Sequence, residues 1–245
     1  MQIAPPFGYT EVIPFLKTQK VRLLGAGEVP EFAQRGNAIP ISFTEFQPVV
    51  RDYPVVFTSS DGGKSFAAVA VLGVTAGENL FFEAGAWAPK AYVPAYARRY
   101  PFCMARVRVG EEERKDRLIC VEKSRLDEAA GEALFDPAGQ PSEKWGALQR
   151  LLSEYEADLE RARDMCAVLA DYGLLEPFSV QAAPKAGGKG LQLTGMHRVA
   201  EKKLEQLEAG QLKNLMHKGI LGRIYMHLLS LQNFAPLLER KAGRE

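Results

Sequence analysis

Between Pro141 and Gly173 the residues Leu148, Leu152, Tyr155, Leu159, Ala162, Cys166 and Leu169 recur at spacings of 4-3-4-3-4-3. That period places all seven on one side of an α-helix, and over about 28 residues at ~1.5 Å each it predicts a rod roughly 42 Å long. The ends carry their own signals. Ser142 can cap the first turn, Glu143 suits the positive end of the helix dipole, and Gly173 can take the left-handed conformation just past the last turn. A narrow apolar stripe of this length must be covered, which constrains everything else in the chain. Three heptads sit at the lower edge of what a coiled coil needs, and the chain offers no second segment of matching pattern. Packing along a sheet is therefore the expected cover; a homodimer through the 143–172 helix is the other.

The sheet comes from the first half, which is punctuated by Pro and Gly and rich in β-branched and aromatic residues. Val21–Leu24, Ala38–Phe43, Val55–Thr58, Phe66–Leu72 and Leu80–Glu83 read as strands. The cluster Ser59-Ser60-Asp61-Gly62-Gly63-Lys64 turns the third into the fourth as a hairpin. Thr44 to Tyr53 reads as a short helix capped by Ser42 or Thr44. A second hairpin pairs Val107–Val109 with Leu118–Val121 across the charged turn Glu111–Asp116. The character changes at Phe135-Asp136-Pro137-Ala138-Gly139-Gln140-Pro141, a turn in which Asp, Pro and Gly each have a steric reason to be present. After the long helix, Leu175–Val180 and Leu191–Val199 form a further hairpin across the basic loop Ala182–Gly190. Two helices, about Glu201–Lys218 and Ile220–Leu231, finish the chain with a break at Gly219. The expectation is one α+β domain over 1–245, divisible into a β-rich 1–135 and a mainly helical 136–245.

The 245 residues carry 31 Lys+Arg against 30 Asp+Glu, a net charge of +1 that argues against nucleic acid as the main partner. The neutrality is a cancellation. Residues 1–110 hold 11 basic and 8 acidic groups, 111–180 hold 9 and 17, and 181–245 hold 11 and 5. Much of the acidic surplus is expected on the solvated face of the long helix. Cys103, Cys120 and Cys166 contain no C-x-x-C pair and read as buried thiols in a reducing compartment. Met1–Lys20 lacks a basic segment followed by an apolar core, and no run of ~18 or more uncharged apolar residues occurs anywhere. A cytoplasmic protein without a membrane span is expected, with signal-independent export to the cell surface left open.

Chemistry-bearing motifs are sparse. Val21-Arg22-Leu23-Leu24-Gly25-Ala26-Gly27 resembles the start of a dinucleotide fingerprint, but Pro30 stands where its third glycine belongs. Gly63-Lys64-Ser65 matches only the end of a phosphate loop, and strand-like sequence follows where a helix is required. His197, His217 and His227 show no metal-ligand spacing, so structural roles are expected and no cofactor, metal or catalytic set is assigned. The densest unusual segment runs from Asn79 to Phe102. There Tyr92, Tyr96, Arg99 and Tyr100 recur at i, i+4, i+7 and i+8, so one helical face would carry three phenols and a guanidinium able to stack on a sugar, a base or a peptide aromatic. The competing reading is a core helix whose phenols find partners and whose arginines pair with carboxylates.

Five segments, in order and spread over most of the chain, resemble the bacterial SapC family associated with surface layers. They are Ile39-Pro40-Ile41 to Phe46; Asp52-Tyr53-Pro54-Val55-Val56-Phe57; Tyr92-Val93-Pro94-Ala95-Tyr96-Ala97-Arg98-Arg99-Tyr100-Pro101-Phe102; Leu134-Phe135-Asp136; and Gly219 with Ile224 to Leu231. The aromatic-arginine run is the most specific of these. The resemblance implies a protein linked by name to paracrystalline surface layers, and it brings no catalytic residues. Two proteins of similar name are set aside on physical grounds: a transporter permease would need several membrane spans, and a saposin would need a disulfide framework. The functional expectation is a non-enzymatic accessory of surface-layer or envelope biogenesis that recognises a peptide, protein or glycan through the Tyr/Arg face. The alternatives are a small-molecule enzyme or enzyme subunit with a pocket between sheet and helices, and a self-assembling structural protein.

Overall fold

The computed structural model describes residues 3–109, 112–182 and 191–244. In chain order, strands β1 (Val12–Pro14) and β2 (Lys20–Val21) precede helix α1 (Glu31–Arg35) and β3 (Ala38–Pro40). Helix α2 (Phe46–Val49) leads into the hairpin of β4 (Val55–Thr58) and β5 (Ala67–Val71), then the ribbon of β6 (Phe82–Glu83) and β7 (Ala86–Trp87) and helix α3 (Ala95–Arg98). Strands β8 (Phe102–Val109), β9 (Glu112–Glu122) and β10 (Glu132–Ala133) come before the long helix α4 (Glu143–Asp171). The hairpin of β11 (Leu175–Ala182) and β12 (Leu191–Val199) is followed by α5 (Glu201–Leu204), α6 (Ala209–His217), α7 (Ile220–Ser230) and α8 (Phe234–Ala242).

Two sheets carry the fold. The larger is antiparallel with strand order β11-β12-β4-β5-β3, so it draws strands from both sides of residue 135. The smaller has the order β1-β9-β8. Helix α4 joins them. Trp145 and Leu152, in its N-terminal half, pack with Phe102, Val121, Val21 and Leu134 around the small sheet. Tyr155, Ala162, Met165, Cys166 and Leu169, further along, belong to the main core over the large sheet. One rod of 29 residues is long enough to serve both cores, and its apolar stripe is spent inside the chain. The ends match the sequence signals: Ser142 Oγ accepts from the Trp145 N–H at 3.2 Å, and Gly173 turns the chain with φ +64°.

Several expectations need correction. The charged segment 112–116 is part of strand β9, because the backbone ladder with β8 continues through it to the Val109–Glu112 pair; Glu111 lies outside the described residues, as do Ala183–Gly190 of the basic loop. Val21–Leu24 is a strand only over Lys20–Val21, and Leu80–Glu83 only over Phe82–Glu83. The helix from Glu201 to Lys218 is two helices, because Glu208 starts a new one with a capping box to Gln211. Helix α8 extends the chain's helical end beyond the expected pair, and its Pro236 falls in the first turn, where proline is tolerated. Ser42 and Thr44 do not cap α2: their hydroxyls are bonded to Glu45 and Asp158 instead. The acidic face of α4 is only partly solvated, since Glu156 and Asp158 are each 8% exposed. No helix among the described residues is long and apolar enough to cross a membrane.

Candidate functional site

The Tyr/Arg segment is not one helix. Pro94 disfavours helical conformation in the residue before it, Pro101 does the same to Tyr100, and only Ala95–Arg98 is helical between them. The four side chains therefore diverge. Tyr92 lies before α3, half-buried, accepting from Arg98 Nη2 at 2.9 Å and donating to Glu45 Oε1 at 3.1 Å. Tyr96 is buried and donates to the Phe7 carbonyl at 2.6 Å. Tyr100 is half-buried against Tyr9, ring centroids 5.3 Å apart, with the Arg125 guanidinium 5.9 Å above its ring. Arg99 is 2% exposed. Structure thus separates the expected face into three environments, and only Tyr96 and Arg99 remain together.

Arg99 sits among aromatic faces, its guanidinium carbon 4.3 Å from the Tyr96 ring centroid, 4.9 Å from Tyr155 and 5.7 Å from Tyr9. Cation-π attraction of this kind contributes about 0.5–2 kcal/mol per desolvated contact. The charge itself is answered by Glu156, whose Oε1 accepts from Arg99 Nη1 at 3.1 Å. Burial alone would pull the Arg99 pKa down; Tyr9, Tyr155, Tyr96 and Glu156 more than offset it, leaving it raised and the group charged. Glu156 Oε2 takes Arg117, which also bonds Glu160, and Glu160 takes Arg163 at 3.0 Å. The result is a line of alternating charge along one flank of α4. Burial raises the pKa of both Tyr96 and Tyr155, so both phenols stay protonated. These groups line a cleft of about 700 Å³ together with the apolar Phe7, Pro40, Met104 and Leu159.

A second cleft, of about 420 Å³, lies on the other flank of α4 and contains Tyr92. Its two buried carboxylates are both fully engaged. Glu45 accepts from Ser42 N and Oγ at 2.9 and 2.8 Å, from the Tyr92 hydroxyl, and from Ala95 N at 2.6 Å. Asp158 accepts from Thr44 N at 2.9 Å, from the Thr44 hydroxyl and from Arg161 at 3.0 Å. Burial first, then Glu45, pushes the Tyr92 phenol up to about 12. Saturated carboxylates of this kind tie the 42–45 segment to α3 and α4. The first cleft holds more orphans: among the described residues Arg99 Nε, which lines it alone, and the hydroxyl of Tyr155, which lines both clefts, are buried without a hydrogen-bond partner. A buried polar atom without a partner costs about 1–3 kcal/mol, so two in one wall single this cleft out.

The remaining candidate groups have structural occupations. His227 is fully buried and bonds the backbone of two strands; the His197 ring packs on Phe66 at 4.9 Å, and its buried Nδ1 is a third atom without a hydrogen-bond partner, outside both clefts. Cys103, Cys120 and Cys166 are free and buried, and burial pushes the thiols up to about 12, 11 and 12 respectively. The amides of Gly63-Lys64-Ser65 already face an anion: Asp61 Oδ1 accepts from Lys64 N at 3.0 Å and Ser65 N at 2.9 Å, and Ser59 Oγ takes Gly63 N at 2.8 Å. Those bonds, led by Ser65, lower the Asp61 carboxyl to about 2. Among the described residues no three of His, Cys, Asp and Glu gather as metal ligands. Sequence reasoning misses Tyr155, Glu156 and Arg117 as site residues. Glu156, Glu160 and Arg163 do recur at i, i+4 and i+7 beside the apolar stripe, which is a usable signal; Arg117, reaching in from β9, has none.

No curated protein and no solved structure matches the chain. A family model does, over residues 20–237, a span that includes α3, α4 and nearly every group of the two clefts. That coverage makes the chain a member of the SapC family.

Proposed function

We propose that the protein is a non-enzymatic accessory of bacterial surface-layer or cell-envelope biogenesis, and that it recognises a peptide, protein or glycan in the cleft beside Tyr96 and Arg99. The observation that carries this reading is the lining itself: a guanidinium held among phenol faces, unpartnered polar atoms, and apolar residues in the same cleft. Sites of about 300–1,000 Å³ with a few convergent polar groups are typical of ligand recognition. Family membership supports the link to surface layers. Should two copies associate through the 143–172 helix, they would use its polar side, because the apolar stripe is buried within the chain.

A small-molecule enzyme has one observation on its side, since groups with displaced pKa share the cleft. The displacement holds Tyr96 and Tyr155 protonated and Arg99 charged, away from the neutral range in which acid-base groups are useful. Binding is the better account. The test is deletion of the gene together with affinity capture from envelope fractions by wild type and by Arg163→Glu, a change at the cleft mouth. An altered envelope and a captured envelope component lost in the variant are expected. An unchanged envelope with no such component overturns the proposal.

A further inference from the structure

Resting on that choice of cleft, we infer that its ligand presents a single carboxylate attached to an apolar or aromatic body, with the carboxylate received by Arg99 Nε and the Tyr155 hydroxyl. Hydrogen-bond supply in the wall calls for an acceptor. Arg99, Arg117 and Arg163 bring roughly fifteen N–H donors to the wall, and Glu156 and Glu160 offer about eight acceptor sites. Both Glu156 oxygens are already taken, by Arg99 and Arg117. Donors are in excess, and the two polar atoms left over are consistent with that: Arg99 Nε–H can only donate, and a phenol held protonated has a donor free.

Charge gives the same sign. Among the described lining residues three guanidinium groups face two carboxylates, an excess of positive charge that favours an anion. Planar guanidinium geometry also suits a carboxylate better than it suits a neutral carbonyl. Phe7, Pro40, Met104 and Leu159 then supply an apolar surface for whatever bears the carboxylate. Two sources share this chemistry, the C-terminus of a peptide and a free aryl or alkyl carboxylic acid.

Titration of the whole protein, followed by amide chemical shifts and calorimetry, distinguishes them. The probes are acetyl-Ala-Ala-Phe with a free carboxylate, the same peptide as its C-terminal amide, 3-phenylpropionate and inorganic phosphate. The free-acid peptide or 3-phenylpropionate is expected to bind, identifying the source, and amidation should weaken peptide binding at least about tenfold. Tyr155→Phe removes an oxygen that has no partner in the free protein, so its melting temperature should hold or rise while affinity for the carboxylate falls about fivefold or more. Binding of phosphate alone, equal binding of acid and amide, or an unaltered affinity in Tyr155→Phe overturns the inference. If envelope capture succeeds while no carboxylate binds, the ligand chemistry is wrong and the functional reading stands; carboxylate binding without any envelope partner gives the reverse.

Discussion

Acidification from pH 7 to 4.5 is expected to cost this protein about 2–3 kcal/mol through His227 alone. The ring is fully buried. Its Nε2 accepts from the Val199 N–H at 3.1 Å, which places the proton on Nδ1, 2.8 Å from the Val55 carbonyl to which it donates. Helix α7 thereby holds β12 to β4, strands that otherwise pair over only Met196–Thr58 and His197–Phe57. Protonating Nε2 would set an N–H against an N–H in the core. Burial, against a smaller opposing effect of the Val55 bond, lowers the pKa from 6.5 to about 4. The unfolded chain binds this proton below 6.5 and the folded chain does not until about 4, so stability is full above 6.5 and is lost as the pH falls through that window. At ~1.4 kcal/mol per unit the loss is roughly 1.4 kcal/mol at pH 5.5 and approaches about 3 near pH 4.5. Urea unfolding at pH 7.0, 5.5 and 4.5, for wild type and His227→Gln, measures it. The variant is expected to be less stable at pH 7 and flatter between 6.5 and 4.5. Carboxylates such as Asp61 and Asp127, with lowered pKa, make their contribution at lower pH and are common to both proteins. Equal slopes for the two proteins in this window would refute the assignment.

Arg99→Met leaves Glu156 buried without its innermost partner and is expected to destabilise by about 3–5 kcal/mol in urea titration; a loss below ~1 kcal/mol would mean the pair is not desolvated as observed. The three thiols should react with a disulfide reagent at pH 8 only after unfolding in guanidinium, and a fast native phase would contradict their burial and raised pKa. Two glycines three residues apart should respond oppositely to alanine. Gly219 has φ +68° between α6 and α7 and should lose about 1 kcal/mol, whereas Gly222 lies within α7 with nothing within 4 Å of where the added methyl would sit and should gain ~0.5–1 kcal/mol, both read by thermal melting.

The elements legible in the sequence are those whose signals are local. The stripe from Leu148 to Leu169 with Ser142 and Gly173 at its ends forms α4, and the Ser59–Lys64 cluster forms the β4–β5 turn, because period and capping are written within a few residues. The single Tyr/Arg face does not form because a 3.6-residue period cannot run through Pro94 and Pro101, whose steric effect on the preceding residue outweighs the spacing of the side chains. Strand β9 departs from expectation because its charge resembles a turn signal while the backbone ladder decides the structure. The site is half legible: Tyr96 and Arg99 stand out in an unusual local run, while Arg117, Glu156 and Tyr155 meet them only through tertiary packing over separations no pattern spans.

Helix α4 explains why the cleft lies where it does. Its stripe is divided between two cores, so at the point of division the helix surface must pass from one sheet to the other, and Tyr155 sits there, three residues after Leu152 of the small-sheet core. Neither sheet can close fully over that stretch. Arg99, arriving at the end of α3, fills part of the gap and needs a counter-charge, which Glu156 supplies from the next helical position. The pair is then fixed by packing on both sides, since shifting Glu156 would drag Leu152 and Leu169 out of separate cores. Removing a buried Leu costs about 2–5 kcal/mol, and displacing two together would cost more than a typical ligand contact returns. If the proposed ligand binds at this junction, it meets walls held rigid by the fold itself, so its affinity would depend on how well it matches groups whose positions are already set.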